Sequence, residues 1–458
     1  MNFKLGRKNL RFLLFLLVVH GVFFIIALTF KRIYMGDSFE YVYMALNIKE
    51  QFWFYCGNPA LPEVTEYLTL RPPGYPLFLM VVYLFVVNNW VVIFLQNLLS
   101  IFNILYLRDT IRRIGYKRRY DYIMMAFVML YPSQFINANT IAPDILLQTC
   151  VLVYFRYFID LMQRRRWRNA VWMSLALIGG FMVKPVLYPF AIVHCIMLLA
   201  IAAYFRFGLL RSSFAAVLPL CAVLAYSAIN EYRTGKAHFS STQSFNAVYY
   251  YYFYYVDKAG VSAADKFLED ERAKMNAITD FKERYNYANQ RGLQLLKENF
   301  ASYMPYHIKH SARLLIDPGK GEWDMFTGTL SLGRLYAKEQ TGFYATLKQK
   351  GWSGLGTYLS QNRSVAPMMI VLFFTLLRLI GLALFVFRRE VDWRIRLFVV
   401  CFIGYFAITT GPIANPRYFI PVSLIAIGCA TIGFQRLLSG RKNKAIIAEK
   451  KRFQNSIA

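Results

Sequence analysis

The chain has 458 residues, of which 57% are hydrophobic and 17% aromatic, and its mean hydropathy is +0.35. Several uninterrupted apolar runs approach the roughly 20 residues a helix needs to cross a bilayer, which excludes an ordinary soluble domain, and they lack the short alternating segments of a β-barrel. The formal net charge of +28 does not mark a nucleic-acid partner. The basic residues collect in short loops and tails between apolar runs, which is the positive-inside signature of cytoplasmic segments facing membrane lipids.

In chain order, Lys4, Arg7, Lys8 and Arg11 precede the apolar run Phe12 to Phe30. That run is long for a secretory leader and has no small-residue cleavage site, so it reads as a retained span at 11–30. Further spans are expected near 90–107, 121–139, 143–162, 170–189, 190–206, 213–230, 365–387, 396–411 and 418–437, about ten in all. The run 75–87 would rise only about 20 Å as a helix against a core of about 30 Å. If it crossed, the charge pattern of every later loop would invert, so it is placed along or dipping into the outer surface. Basic clusters at Arg108 to Arg119, Arg164 to Arg168, Arg388 to Arg396 and Arg441 to Arg452 then fall on the cytoplasmic side with both termini.

The predicted fold class is all-α, a polytopic helical membrane protein. Residues 1–230 form an N-terminal membrane module with a first outer loop at 31–89, 231–363 an outer-face segment, 364–437 the C-terminal spans and 438–458 a basic cytoplasmic tail. The outer segment carries an aromatic block, Tyr249 to Tyr255, and a charged helical stretch, Ala263 to Asn299. Its tyrosines suit either sugar stacking or an interfacial aromatic band. Five of the six cysteines lie in apolar runs, and neither a disulfide framework nor zinc spacing follows. The pair His307 and His310 has no acid at the spacing that would complete a metal site.

The residues able to do chemistry fall on the outer face. Asp37 begins a helical pattern in which Tyr41 shares its face, and it suits either an N-cap or a carboxylate that takes a proton or binds a divalent ion. Arg71-Pro72-Pro73-Gly74-Tyr75-Pro76 is a pre-shaped corner, because proline fixes the backbone and removes amide donors. Asp144 follows Pro143 at a later outer turn, where capping is the plain alternative. Lys184-Pro185 ends a span, and Lys184 either snorkels or holds a phosphate. Arg417 lies in Asn415-Pro416-Arg417-Tyr418, a fork for phosphate oxygens or an interfacial Arg-Tyr anchor.

Taken in order, these motifs resemble the integral membrane glycosyltransferases of the GT-C fold, and within them the branch of protein O-mannosyltransferases and bacterial aminoarabinose lipid A transferases. The likeness runs from residue 11 to about 437. It implies transfer of a sugar from a polyprenyl-phosphate donor to a hydroxyl on a glycan, lipid or protein, with inversion, at the outer face of the membrane, and the abundant basic loops without a recognisable organelle signal point to a bacterial inner membrane. The resemblance also implies Asp37 and Asp144 as catalytic acids and Lys184, Arg71 and Arg417 near the donor phosphate. Tyr41, Tyr75 and Tyr418 are the substrate-binding candidates, and a Mg or Mn ion on Asp37 and Asp144 is an optional cofactor. Where that branch typically shows Asp-Glu, this chain has Asp37-Ser38. The rival readings are a transporter or flippase of lipid-linked sugars, which calls for charge deep within several spans, and a surface-polysaccharide ligase or polymerase.

Overall fold

The computed structural model describes residues 7–206, 208–329, 364–413 and 415–455 and a few positions between 351 and 359. The chain begins with α1 (Arg7–Phe30), α2 (Ser38–Gln51), α3 (Gly74–Tyr83), α4 (Asn89–Arg112), α5 (Asp121–Met129), α6 (Pro132–Ala138), α7 (Asp144–Arg164), α8 (Trp167–Val183), α9 (Phe190–Phe205) and α10 (Leu209–Thr234). The segment that follows contributes α11 (Thr242–Ala259), α12 (Val261–Asn276), α13 (Phe281–Glu298), α14 (Phe300–Ser311), α15 (Arg313–Ile316) and α16 (Lys320–Phe326). The last helices are α17 (Val365–Val386), α18 (Trp393–Thr410) and α19 (Ile420–Asn455). Among the described residues there is no strand.

Among the described residues seven helices are long and apolar enough to cross a membrane: those at Asn9–Phe30, Asn89–Arg112, Asp144–Arg164, Leu210–Thr234, Val365–Val386, Trp393–Ile413 and Pro416–Gln435. This is the architecture of a multi-pass membrane protein. Apolar side chains on α1 and α17, among them Leu14, Val18, Ile25, Ile370 and Phe373, stand exposed, as side chains facing lipid do.

The three other predicted spans give helices shorter than these seven, two of them for a local reason. The run 121–139 is two helices, because Pro132 at the first turn of α6 excludes Tyr131 from the helical region (φ −130°, ψ 75°). The run 170–189 stops at Val183, where Lys184 is extended ahead of Pro185 (φ −150°, ψ 131°). The third, α9, has 16 residues. The short run after Tyr75 is the ten-residue α3. In the outer segment the stretch Ala263 to Asn299 breaks between α12 and α13, and Asp280 caps the second piece by accepting from Glu283 N–H at 2.8 Å.

Helix α7 packs on α4, α8 and α19 and forms the centre of the bundle. Helices α17 and α19 cross so closely that a Cβ on Gly433 would stand 2.0 Å from the Gly381 carbonyl oxygen, a contact only glycine permits. Charges separate between the two ends of the bundle. One end carries Arg113 paired with Asp160, Arg156 paired with Asp109 at 2.8 Å, and Arg388 on the Ile432 carbonyl. At the other end the first turn of α7 meets the exits of α1, α8 and α18.

Candidate functional site

Backbone stitching, before any charge is considered, brings the loops at this end of the bundle together. Ile141 N–H donates to Ile33 O at 2.8 Å, and the Ser38 hydroxyl donates to Ile141 O while accepting from Met35 N–H, both at 2.7 Å. The segment after α1 is thereby laid along the segment before α7. Ser38 is fully buried at this seam. A hydroxyl makes both bonds, whereas an ionised carboxylate could accept from Met35 but could not donate to the Ile141 carbonyl.

Asp37 heads α2 and Asp144 begins α7, yet neither carboxylate caps its helix. Both turn to Arg417. The guanidinium donates from Nη1 and Nη2 to Asp37 Oδ1 and Oδ2 at 2.8 and 3.0 Å, and from Nε to Asp144 Oδ2 at 2.6 Å. Lys184 Nζ donates to Asp144 Oδ1 at 2.7 Å and lies 4.6 Å from the centre of the Tyr418 ring. Lys184 therefore points inward and does not snorkel. Arg417 is presented by a 3-10 turn at Pro416–Phe419, whose first amide is held by Asn415 Oδ1 accepting from Arg417 N–H at 3.0 Å. A planar fork joining two carboxylates is geometry that lysine could not reproduce.

The proline corner supplies the remaining cation. Arg71 Nε donates to Glu40 Oε2 at 2.5 Å, and its guanidinium carbon stands 5.4 Å from the Tyr41 ring centre. Tyr41 and Tyr75 are completely buried and packed edge to face at 5.1 Å. The Tyr75 hydroxyl donates to Gln96 at 2.6 Å. These two predicted substrate contacts thus lie behind the charged cluster, whereas Tyr418 lies on its open side. Gly74 lets the corner touch the end of α8: a Cβ there would meet Met182 O at 2.6 Å and Val183 N at 2.8 Å, both backbone atoms that cannot swing away. Gly74→Ala is expected to lower unfolding stability by about 1–3 kcal/mol. Gly36→Ala, with nothing within 4 Å of the new Cβ, is the control. Equal thermal midpoints for the two variants in detergent would show that the corner yields.

Three acids (Asp37, Glu40, Asp144) and three bases (Arg71, Lys184, Arg417) make up the cluster. Burial by itself would raise the Asp37 carboxyl, but Arg417, Arg71 and Lys184 together outweigh it and hold it well below the usual carboxylate range. At Glu40 burial prevails over Arg71, and its carboxyl is raised. Arg71, Lys184 and Tyr418 line a cavity of about 520 Å³, bounded opposite by α11 and the end of α18. A second, apolar cavity of about 620 Å³ lies between α9 and α18. The neighbours Pro189 and Phe190, and Ile408 and Tyr405, divide between the two cavities. Among the described residues no three His, Cys, Asp or Glu side chains stand together as metal ligands. All four oxygens of Asp37 and Asp144 already accept from Arg417 or Lys184, so the cluster as arranged does not fit a divalent ion.

Several groups here carry no sequence motif. Gln96 donates to Thr140 O at 2.7 Å, Asn97 to Asn139, Asn103 to Gln148, and Gln148 to Ile420 O at 2.7 Å. This buried amide network fixes the loop before Asp144 and the start of α19. Three amides in one apolar run, at 96, 97 and 103, were its only signal. Glu322 on α16 is also buried, beside the Ser133 hydroxyl and the Asn137 side chain, with no cation paired to it among the described residues. Burial pushes the Glu322 carboxyl up to about 7. The native state then holds its proton more tightly than the unfolded chain, so its contribution is full below about pH 4.5 and is lost as pH rises through about 7. Glu322→Gln is expected to remove that slope and to stabilise the protein at pH 8 by on the order of 3 kcal/mol. Denaturant titrations at pH 5 and pH 8 measure both, and parallel curves for variant and wild type would refute it.

In comparisons with known proteins, no family model matches the chain, and no curated protein matches it.

Proposed function

We propose that this protein is a membrane glycosyltransferase of GT-C type with about ten crossings. In this reading it moves a sugar from a polyprenyl-phosphate donor to a hydroxyl of a glycan, lipid or protein at the periplasmic face of a bacterial inner membrane. The observation that carries the proposal is Arg417 clasping both Asp37 and Asp144 beside a cavity walled by Lys184 and Arg71, with an apolar cavity next to it. A sugar phosphate on a long isoprenoid cannot leave the bilayer cheaply, since each buried methylene is worth about 0.8 kcal/mol. Its enzyme needs cations at the interface and an apolar groove beside them.

The chemistry follows from the exchange of partners. A donor phosphate entering the cavity competes with the carboxylates for Lys184 and Arg417. Loss of the guanidinium releases Asp37 from the charge that holds its proton affinity down, and it becomes a base for the acceptor hydroxyl. The acceptor oxygen attacks the anomeric carbon, its proton passes to Asp37, and the bond to the phosphate oxygen breaks. The lipid phosphate leaves with one further negative charge, which Lys184, Arg71 and Arg417 stabilise. Asp144 holds Lys184 and Arg417 in position, and Tyr41 and Tyr75 back the corner.

One observation favours the flippase reading. Arg378 lies in the middle of α17, buried, with its guanidinium carbon 4.7 Å from the Tyr131 ring centre, and charge at that depth is a transport feature. The deciding experiment uses purified protein in lipid vesicles with a panel of labelled polyprenyl-phosphate sugars. Transfer or hydrolysis of any donor supports the enzyme. Movement of donors between leaflets without turnover overturns it in favour of the flippase.

A further inference from the structure

The wall of the 520 Å³ cavity opposite Lys184 belongs to α11, from which Thr242, Gln243, Asn246 and Tyr250 line it. Their spacing places them along one face of the helix over about 12 Å. The face is polar and uncharged. Tyr250 donates its hydroxyl proton to Thr409 O at 2.6 Å, which ties α11 to the end of α18 and leaves the phenolic oxygen free to accept. Gln243 Nε2 is buried and has no hydrogen-bond partner, and a buried amide in that state is satisfied by a ligand or water. Among the described residues no Asp or Glu lines this cavity, and the charged ones that do are Arg71 and Lys184.

We infer that this face of α11 reads the glycosyl group of the donor, and that the group is an uncharged, hydroxyl-bearing sugar and not an amino sugar. This rests on the lipid-phosphate donor proposed above and narrows it. With the phosphate held at Lys184 and Arg71, the sugar is left against the amides and hydroxyls of Gln243, Asn246 and Thr242. These groups donate to and accept from hydroxyls in any orientation. An ammonium group in the same place finds no free carboxylate among the described lining residues, because Glu40 and Asp144 are turned to Arg71 and Lys184, and nothing there offsets its lost hydration.

The test is equilibrium binding to the full chain in lipid nanodiscs. The probes are farnesyl phosphate, its mannosyl, glucosyl and galactosyl esters, and its 4-amino-4-deoxyarabinosyl ester. Wild type is expected to bind at least one neutral ester tenfold or more tightly than farnesyl phosphate, and the ammonium-bearing ester no better than farnesyl phosphate. Gln243→Ala and Asn246→Ala should each erase most of the sugar's advantage while farnesyl phosphate affinity stays within about twofold, which also shows that the variants fold. Gln243→Glu should shift preference toward the ammonium-bearing ester. The inference is overturned if wild type prefers that ester, or if the α11 variants discriminate as wild type does. If wild type does not bind farnesyl phosphate at all, the lipid-phosphate reading fails and takes this inference with it. If farnesyl phosphate binds and no sugar adds affinity, only the inference fails.

Discussion

Asp37→Asn is expected to leave the fold in place and lower sugar transfer by about 100- to 10,000-fold, the range for loss of a general base. The fold survives because the change is nearly isosteric. The amide oxygen can still accept from the Arg417 fork, and Arg417 keeps Asp144 through its Nε. What disappears is a group that can take the acceptor proton. The same substitution alters acid stability with a defined sign. A carboxyl whose pKa is depressed by folding contributes stability above its unfolded value, near 3.8, and loses it as pH falls further toward the folded value. Wild type should therefore lose stability below about pH 4 more steeply than Asp37→Asn. Both readouts come from one preparation, with turnover at neutral pH and denaturant titration from pH 3 to 7. If the variant retains a third or more of wild-type transfer, Asp37 is not the base.

The parts of the site that could be read in the sequence are those where a charged residue interrupts an apolar pattern beside a backbone-fixing residue. Asp144 after Pro143, Lys184 before Pro185, Arg417 after Pro416 and Arg71 before Pro72 all have that form, and the structure brings Asp37, Asp144, Lys184 and Arg417 within hydrogen-bond reach. Each had a plausible local alternative, and local patterns could not choose between them. For Asp37 and Asp144 the alternative was capping, and for Lys184 snorkelling. Asp37 and Asp144 were decided by Arg417, 380 and 273 positions away in the chain, and Lys184 by Asp144, 40 positions away, and nothing in a local window reports contacts of that range.

The remaining differences have similar causes. Ser38 looked like a missing glutamate until its hydroxyl was seen joining two loops. Glu40 carried no motif, although it is the partner of Arg71. The amides at 96, 97, 103 and 148 sit in runs whose hydropathy dominates their reading, and they become visible only when α4 and α7 are side by side. Helix lengths suffered most from proline. Hydropathy saw one span over 121–139, whereas Pro132 and the restricted residue before it make two helices.

Arg417→Met is expected to be the most damaging single change in the molecule. It leaves Asp144, fully buried, with Lys184 alone and removes both direct hydrogen bonds that Asp37 receives from a cation. Removing one partner of a buried ion pair costs about 3–5 kcal/mol, because the surviving charge has lost both its compensation and its water. Against a total stability of about 5–15 kcal/mol that is enough to unfold much of the population. Low yield would not by itself distinguish a structural arginine from a catalytic one, and a second variant separates them. Asp37→Asn/Arg417→Met removes the orphaned charge of Asp37 together with the arginine and leaves Asp144 paired with Lys184, and neutral groups of the same shape can be nearly equal in stability to the pairs they replace. The double variant should recover most of the thermal midpoint that Arg417→Met loses while showing no transfer. Recovery would identify the unpaired carboxylate as the source of the instability; a double variant as unstable as the single one would mean that Arg417 holds the loops by packing, and that the charge balance of the cluster is not what keeps them together.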